Sequence, residues 1–187
     1  IILAGGEATE TGANFAFDAN GNGGSDVRVS AGEQIRIESG VLASGDVTIN
    51  GGTPGADDHW DGLSMGEVPV GIDPNLLSVL VNTSGGITAY GLGANGAGST
   101  VSISGGNRME LMGYITSGGR LNQTFGLVDG ENALLAQDFI WSGRDSDIKV
   151  ESTGRVNIGG STRNEAGAVV ETGGFLTATR LVDVAGG

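Results

Sequence analysis

Short stretches of alternating apolar and polar residues recur along the chain. In the first of them, Val27 and Val29 alternate with polar residues, a turn follows at residues 31–34, and Ile35 and Ile37 then alternate with charged residues. An apolar residue at every second position is typical of a strand with one buried face. The pattern therefore predicts two short strands joined by a tight turn.

The sequence pattern of this strand pair occurs three times with constant spacing. Each first apolar position is followed at a fixed offset by a second one: Val27 by Ile35, Val101 by Met109, and Ile148 by Val156 (35−27, 109−101 and 156−148 are each 8). A third inward position comes a few residues after that, at Val41, Ile115 and Thr162. The next unit begins at Val47, Leu121 and Ala168 (47−27, 121−101 and 168−148 are each 20). A fixed period of this size predicts a stacked repeat in which each unit buries its apolar face against the next.

Three short strands in each step of about 20 residues, with corners too short for a helix, predict an all-β fold. The specific prediction is a right-handed parallel β-helix (a β-solenoid) of about 20 residues per rung, in which inward Val and Ile residues stack. Burial of one such side chain stabilises the fold by about 1.5–3 kcal/mol. A β-sandwich is the alternative, but it would not favour the constant spacing. Six polar residues are predicted to face outward: Arg28, Arg36, Glu110, Lys149, Arg155 and Asn157.

Two stretches interrupt the repeat and are predicted to be insertions. Residues 51–86 contain all three prolines, which cannot donate to a strand ladder, followed by an apolar run at 76–81 that predicts a buried strand. Residues 122–145 form the second insertion, with predicted strands at 125–128 and 139–141. Insertions in solenoids often form the recognition surface. No domain boundary is evident, so residues 1–187 are predicted to form a single solenoid segment.

Composition narrows the possible functions. The chain has 37 glycines in 187 residues and a net charge of −13, so it is glycine-rich and acidic. An acidic surface repels nucleic acid and anionic lipid, which argues against a nucleic-acid partner. The chain has no cysteine and no apolar run long enough to span a membrane, so neither a disulfide nor a membrane span is predicted. It lacks an initiator Met and ends in a strand-like pattern, and we expect it to be a segment of a longer polypeptide.

The densest group of polar side chains lies at residues 57–61. Its three carboxylates, from Asp57, Asp58 and Asp61, are candidate Ca²⁺ ligands, although the spacing is not that of an EF-hand. Trp60 is a candidate for stacking on a sugar ring. The alternative interpretation is a solvated acidic loop with one aromatic ring packed against the rod. Calcium is the one cofactor that the sequence suggests.

A second group lies at residues 141–147. Trp141, Arg144 and Asp145 have the side-chain chemistry of a carbohydrate site. The alternative is an ordinary corner of the repeat in which the Trp covers the adjacent strand. The sequence predicts no catalytic residue, because its single histidine, His59, lies in the first insertion and no pair of carboxylates is marked as an acid/base couple.

The repeats resemble those of the filamentous-haemagglutinin-like group of giant exported bacterial proteins. The resemblance is carried by residues 27–37, their copies at 101–111 and 148–158, and residues 168–174. The repeats of that group have the form V-x-V-x-[SA]-x-G-x-[VI]-x-I. It implies a β-helix without catalytic residues, located outside the cell or on the bacterial cell surface.

These observations lead to two functional expectations. The first is a structural or adhesive segment of a large extracellular β-solenoid protein that contacts neighbouring rungs or like subunits end to end, forms fibres, and binds cell-surface glycans. The second is a carbohydrate-binding or carbohydrate-cleaving β-helix, such as a polysaccharide lyase or hydrolase, centred on residues 57–61 or 141–147.

Overall fold

A computed structural model describes residues 2–4, 7–8, 15–16, 26–43, 45–54, 69–89, 98–118, 145–164 and 166–187, with the backbone alone described before residue 26. These residues form an all-β structure with one short 3-10 turn at Pro74–Leu76 and no α-helix among them. Fourteen strands form three parallel sheets, and four others form two antiparallel hairpins. The predicted all-β class is confirmed for this part of the chain.

Sheet 1 has five parallel strands, which are β4 (Val27–Ala31), β7 (Val47–Gly51), β10 (Thr100–Gly105), β13 (Asp147–Ser152) and β18 (Leu181–Ala185). Sheet 2 has four, which are β5 (Ile35–Ile37), β8 (Leu77–Val81), β11 (Arg108–Leu111) and β14 (Val156–Ile158). Sheet 3 has five, which are β1 (Ile2–Ala4), β6 (Gly40–Ala43), β9 (Gly86–Ala89), β12 (Tyr114–Ser117) and β17 (Phe175–Ala178). The hairpins pair β2 (Glu7–Ala8) with β3 (Phe15–Ala16) and β15 (Gly160–Arg163) with β16 (Val169–Thr172).

The chain visits the three sheets in a repeating order. From β4 onward it passes through sheet 1, then sheet 2, then sheet 3, and returns to sheet 1 one strand further along. We call each such circuit a coil. Parallel neighbours within each sheet come from successive coils, and this arrangement of stacked sheets is consistent with a β-solenoid.

Register in sheet 1 defines the length of each circuit. Val27 lies opposite Val47, as the predicted step requires (47−27 = 20). The later partners are further apart in sequence: Val47 with Val101 (101−47 = 54), Val101 with Ile148 (148−101 = 47), and Ile148 with Val182 (182−148 = 34). Leu121, the predicted partner of Val101, lies outside the described residues, but both neighbours of Val101 in sheet 1 are described, so this predicted pairing is wrong. The circuits after the first are therefore longer than the repeat in the sequence.

The predicted pairing of Ile148 with Ala168 is wrong. After β14 the chain leaves the coil to form the β15–β16 hairpin, and Ala168 lies in its turn, where its carbonyl accepts a hydrogen bond from the Asn164 N–H. The chain then returns through β17, so that Val182 becomes the partner of Ile148. This third insertion was not predicted.

The other predicted columns lie in sheets 2 and 3. In sheet 2, Val79 lies opposite both Ile35 and Met109, and Met109 also lies opposite Val156, which confirms the constant offset to the second strand. In sheet 3, Ile87 lies opposite both Val41 and Ile115, which confirms the third position for two copies. For the third copy the prediction of Thr162 is wrong, because Thr162 belongs to β15 and Leu176 lies opposite Ile115.

The main core lies between the three sheets and consists of aliphatic columns from successive coils. The largest fully buried side chains of this cluster are Ile49, Ile87, Ile103, Met109, Leu111, Ile115 and Ile148. Such stacking means that each coil supplies the apolar surface on which the next one packs. Of the polar residues predicted to face outward, Arg28, Arg36, Lys149 and Arg155 are exposed and Asn157 is half-buried.

Glu110 departs from that prediction, because it is buried although it points away from the main core. A second apolar cluster of Leu77, Leu80 and Met112, with Ile72 against it, lies outside that core. Leu80 neighbours Glu110 in sheet 2, so this outer cluster removes the carboxylate from solvent. Glu110 Oε1 accepts hydrogen bonds from Arg108 Nε (2.7 Å) and Asn157 Nδ2 (2.8 Å), which satisfy the buried charge.

The insertions differ in part from their predicted bounds. The apolar run of the first forms β8, all of whose residues are buried, so the predicted buried strand is confirmed and residues 77–86 belong to the coil. Of the preceding loop, residues 55–68 lie outside the described part of the chain. Most of the second insertion, including the predicted strands at 125–128 and 139–141, also lies outside it.

Candidate functional site

The surface at the β18 end of the stack is the main apolar feature that the coils leave exposed. Among the strands that the structure describes, β14, β17 and β18 are the last in their sheets, each with a partner on one side only. Val182 and Val184 lie opposite Ile148 and Val150, so they continue the core columns of sheet 1. Val182 is nevertheless 41% exposed. We call this surface, with Ile158 of β14, the open end.

The opposite end of the stack is covered. Val27 in β4 and Ile35 and Ile37 in β5 occupy the first positions of the same columns, yet each is at most 7% exposed. The two ends of the stack therefore differ in chemistry. At the β4 end these aliphatic side chains are buried, whereas at the β18 end they are exposed to solvent.

A column of polar residues ties successive coils together at the start of sheet 1. Asp26 Oδ1 accepts a hydrogen bond from the Asp46 N–H (2.9 Å), and Asp46 Oδ1 accepts one from the Thr100 N–H (2.8 Å). Each of these residues directly precedes the first inward position of its strand. A side-chain acceptor at this place satisfies a backbone donor of the next coil.

Asp147 occupies the same position one coil further on. Its carboxylate accepts a hydrogen bond from Arg180 Nε (2.7 Å), makes a second contact with Arg180 Nη2, and is hydrogen-bonded to the Leu181 backbone. The Arg180 guanidinium holds the pKa of this buried carboxyl below its usual value, against the opposing effect of burial. This ion pair therefore joins β13 to the strand at the open end.

Asp147 and Ser146 are the residues of the second predicted group for which the structure describes hydrogen-bond partners. The Asp147 carboxylate is engaged within the fold by Arg180 and Leu181. Asp145 is exposed and has a positive φ of 59°, at the corner before β13. Trp141 and Arg144 lie outside the described residues, so their role in binding a sugar stays a prediction.

The first predicted group lies wholly outside the described residues. Its members are Asp57, Asp58, His59, Trp60 and Asp61. The calcium site and the stacking role of Trp60 therefore stay predictions. Within the described ranges, no group of three or more His, Cys, Asp or Glu side chains is arranged to hold a metal ion.

Sequence reasoning predicted end-to-end contacts but not which end of the stack is open, and it missed the aspartate column. The aspartates did carry a signal, because Asp26, Asp46 and Asp147 each stand directly before the first inward Val or Ile of a strand. The open end carried none, because it depends on which strand lies last in each sheet. That order depends on the lengths of the insertions.

No protein-family model matches the chain, and neither a curated protein nor a solved structure is detectably similar to it. In the part of the chain that the structure describes, no helix has the length and apolar character needed to cross a membrane.

Proposed function

We propose that the chain is a structural and adhesive segment of a large extracellular or cell-surface bacterial β-solenoid protein, related to the filamentous-haemagglutinin-like group that its repeats resemble. The observation that carries this proposal is the open end, where core columns and strand edges face solvent in a form that another coil would cover. The role is mechanical, in that the stack projects a surface and is extended by further coils.

We also propose that the solenoid is a right-handed parallel β-helix whose basic coil has the length of the circuit from Val27 to Val47 (47−27 = 20). The three longer circuits have additional residues between β7 and β8, between β12 and β13, and between β14 and β17. Parallel strands joined through a crossover adopt the right-handed connection almost without exception, because strands themselves twist in that sense.

Burial of the open end gives extension a driving force. Val182, Val184 and Ile158 are each at least 40% exposed, and covering an aliphatic side chain contributes on the order of 1.5–3 kcal/mol when the burial is complete. The free edges of the described strands β14, β17 and β18 also present backbone donors and acceptors that a neighbouring strand would satisfy. The next coil of the same long chain would supply a parallel strand, and the open end of a like subunit, related by a two-fold axis, would supply an antiparallel one.

Sedimentation velocity over a range of protein concentrations tests the proposal. We expect the chain to associate as its concentration rises, and Val182→Asp to remain monomeric because it places a charge in the contact. Asp183→Ser is the matched control, since Asp183 lies on the outward face of the same strand, and it should associate like the original chain. Association through the open end alone stops at a dimer, whereas filaments in electron micrographs would show that the covered end opens as well.

Thermal unfolding by circular dichroism verifies that the variants are folded, which is expected because Val182 is already partly exposed. A chain that stays monomeric at every concentration would contradict extension at the open end. The same holds if Val182→Asp associates as strongly as the original chain.

A further inference from the structure

The outer face of sheet 3 has a composition unlike that of the rest of the surface. Side chains of β6, β9, β12 and β17 that point away from the core form two columns in register across the coils. The first column consists of Gly40, Gly86, Tyr114 and Phe175. The second consists of Leu42, Thr88, Thr116 and Thr177. An aromatic pair therefore lies beside a row of hydroxyl groups.

The two aromatic rings are accessible. Tyr114 is 44% exposed and Phe175 is 67% exposed. The Tyr114 ring lies over Gly86 of the preceding coil, since a Cβ at that glycine would come within 2.2 Å of Tyr114 Cζ. One face of the ring thus packs on the backbone. The half-exposed ring has its remaining surface available to a ligand.

The described outward positions of β6, β9, β12 and β17 carry no charge, although the chain as a whole has a net charge of −13. All eight of these positions are Gly, Leu, Thr, Tyr or Phe. The corresponding face of sheet 1 includes Arg28, Lys149 and Asp183. On these four described strands a ligand would find neither a cation to pair with an anionic group nor a carboxylate to pair with a cationic one. Its chemistry is therefore that of an uncharged molecule.

We propose that the outer face of sheet 3 binds an uncharged polysaccharide, with pyranose rings stacked on Tyr114 and Phe175 and hydroxyl groups hydrogen-bonded to the threonine column. This inference rests on the proposed adhesive role, for which it names the binding face and the class of ligand. A pyranose ring has a C–H face that packs on the negative face of an aromatic ring and a rim of hydroxyls, and so matches both columns.

The spacing of the columns supports a chain ligand. Tyr114 and Phe175 lie opposite each other on adjacent parallel strands, so their backbones are about 4.8 Å apart along the stack. That distance is close to the length of one pyranose residue. A polysaccharide running along the solenoid axis would therefore pass about one sugar per coil, and the Tyr114 ring, which lies over the preceding coil, would contact a sugar on that coil.

An exposed aromatic ring over a cross-strand glycine also has a purely structural role, because it shields the backbone of a glycine that lacks its own side chain. That role predicts a loss of stability on removal of Tyr114, but no ligand. Phe175 distinguishes the two roles, because it has no cross-strand glycine to shield. Its neighbour in register is Tyr114, and its ring is mostly solvent-exposed.

Native affinity electrophoresis of the full chain tests the proposal, in gels that contain hydroxyethylcellulose, galactomannan, dextran or the acidic polymer polygalacturonate. We expect at least one of the three uncharged polymers to slow migration and polygalacturonate to leave it unchanged. Tyr114→Ala and Phe175→Ala should each weaken the affinity about tenfold, which corresponds to about 1.4 kcal/mol. Tyr114→Phe should retain it, because the ring is kept.

Lys149→Ala, on the outer face of sheet 1, is the matched control and should bind like the original chain. Melting temperatures establish that the variants are folded, and the partly exposed Phe175 keeps the test valid if Tyr114→Ala is unstable. Migration unaffected by all three uncharged polymers overturns the proposal. So does binding that survives both alanine substitutions, or a response to polygalacturonate alone.

The two proposals fail separately. Val182→Asp should abolish association at the open end and leave binding of the uncharged polymer intact, since Val182 lies in sheet 1. Polymer binding without association would contradict only the proposed extension by like subunits. Association without polymer binding would contradict only the proposed carbohydrate-binding face.

Discussion

Tyr114 and Gly86 lie opposite each other on adjacent coils, and the tyrosine ring fills the space that a side chain at position 86 would need. A Cβ at Gly86 would lie within 2.6 Å of three ring carbons of Tyr114. The glycine therefore lets the ring lie against sheet 3. The contact is between the far end of a side chain and the backbone, so a change at position 86 acts on the ring before it acts on the fold.

Gly86→Ala should displace the Tyr114 ring while the coil remains intact. We expect a loss of about 1 kcal/mol in the free energy of unfolding, at the low end for overpacking, because the ring can swing away. Affinity for the uncharged polysaccharide should fall as in Tyr114→Ala. Urea denaturation and affinity electrophoresis measure the two effects.

Gly113→Ala is the control, because a Cβ there would meet the backbone oxygens of Gly85 (2.1 Å) and Asn82 (2.7 Å). Backbone cannot move aside as a side chain can, so we expect a loss of about 3 kcal/mol. Equal losses for the two alanine variants would show that the ring at Gly86 is as rigidly held as the backbone at Gly113.

Ile103→Asp should unfold the stack, whereas Ser102→Asp should change its stability little. Ile103 is 1% exposed in the main core, and a charge there would have no partner in an apolar bore, which costs more than about 4 kcal/mol. Ser102 faces outward and lies opposite Lys149, so an acid there should alter stability by no more than about 0.5 kcal/mol. Urea denaturation compares the pair, and equal effects would mean that the faces of β10 are reversed.

Deletion of residues 160–173 should leave a folded stack. The deletion makes the circuit from Ile148 to Val182 as long as the circuit from Val27 to Val47, since (182−148) − (173−159) equals 47−27. It also joins Gly159 to Gly174, which already lie side by side, since a Cβ at Gly174 would be 2.5 Å from the Gly159 nitrogen. We expect cooperative thermal unfolding, with a small loss of stability because the contact of the hairpin with Val70 is removed.

Deletion of residues 160–172 is the matched control. It leaves one extra residue before β17 and therefore shifts the register by one, which would turn Leu176 from the core toward solvent. The shorter deletion should be the more damaging one. A result in the opposite order would contradict the interpretation that the hairpin is an insertion into the basic coil.

Acidification should selectively remove the contribution of the ion pair between Asp147 and Arg180. Because the pKa of the Asp147 carboxyl is lowered in the folded state from its usual value of 3.8, the native state favours the ionised form. The stabilisation is therefore present above that value and is lost as the pH falls through the lower folded-state pKa. Arg180→Ala should reduce the free energy of unfolding at neutral pH, and the difference from the original chain should shrink as the solution is acidified below about pH 4.

Arg28→Ala provides the comparison for this pH series. Arg28 pairs with Asp26 at 3.4 Å, but both side chains are exposed, and such pairs contribute little to stability. Its effect should be near zero across the pH range. A pH-independent loss in Arg180→Ala would show that Arg180 acts by packing rather than through the carboxylate.

The inward positions of the coil could be predicted from the sequence because side chains alternate between the two faces of a strand. Val27, Ile103 and Ile148 stand in clear alternating patterns, and all three are buried in the main core. The offset from Val27 to Ile35 was equally predictable, since it depends on a corner of few residues. Local geometry determines these features, and no distant contact is needed to set them.

The partners of those strands were decided by the tertiary structure. Ala168 and Val182 both follow Ile148 at strand-like positions, and the sequence favoured the nearer one because it keeps the period. When the chain leaves a coil and returns to it, the number of residues in that insertion gives no periodic signal in the sequence. Pairing of backbone groups and packing of Val182 and Val184 on the preceding coil select the later strand.

Register also explains why the candidate binding face was not foreseen. Tyr114 and Phe175 are far apart in sequence (175−114 = 61), and they become neighbours only because β17, rather than β15, continues sheet 3. The sequence by itself thus determined which side chains face inward and that strands stack, through the alternation of side chains along each strand. The tertiary structure alone decided which strands meet and which aromatic rings lie together, since these depend on hydrogen bonding and packing between residues far apart in the chain.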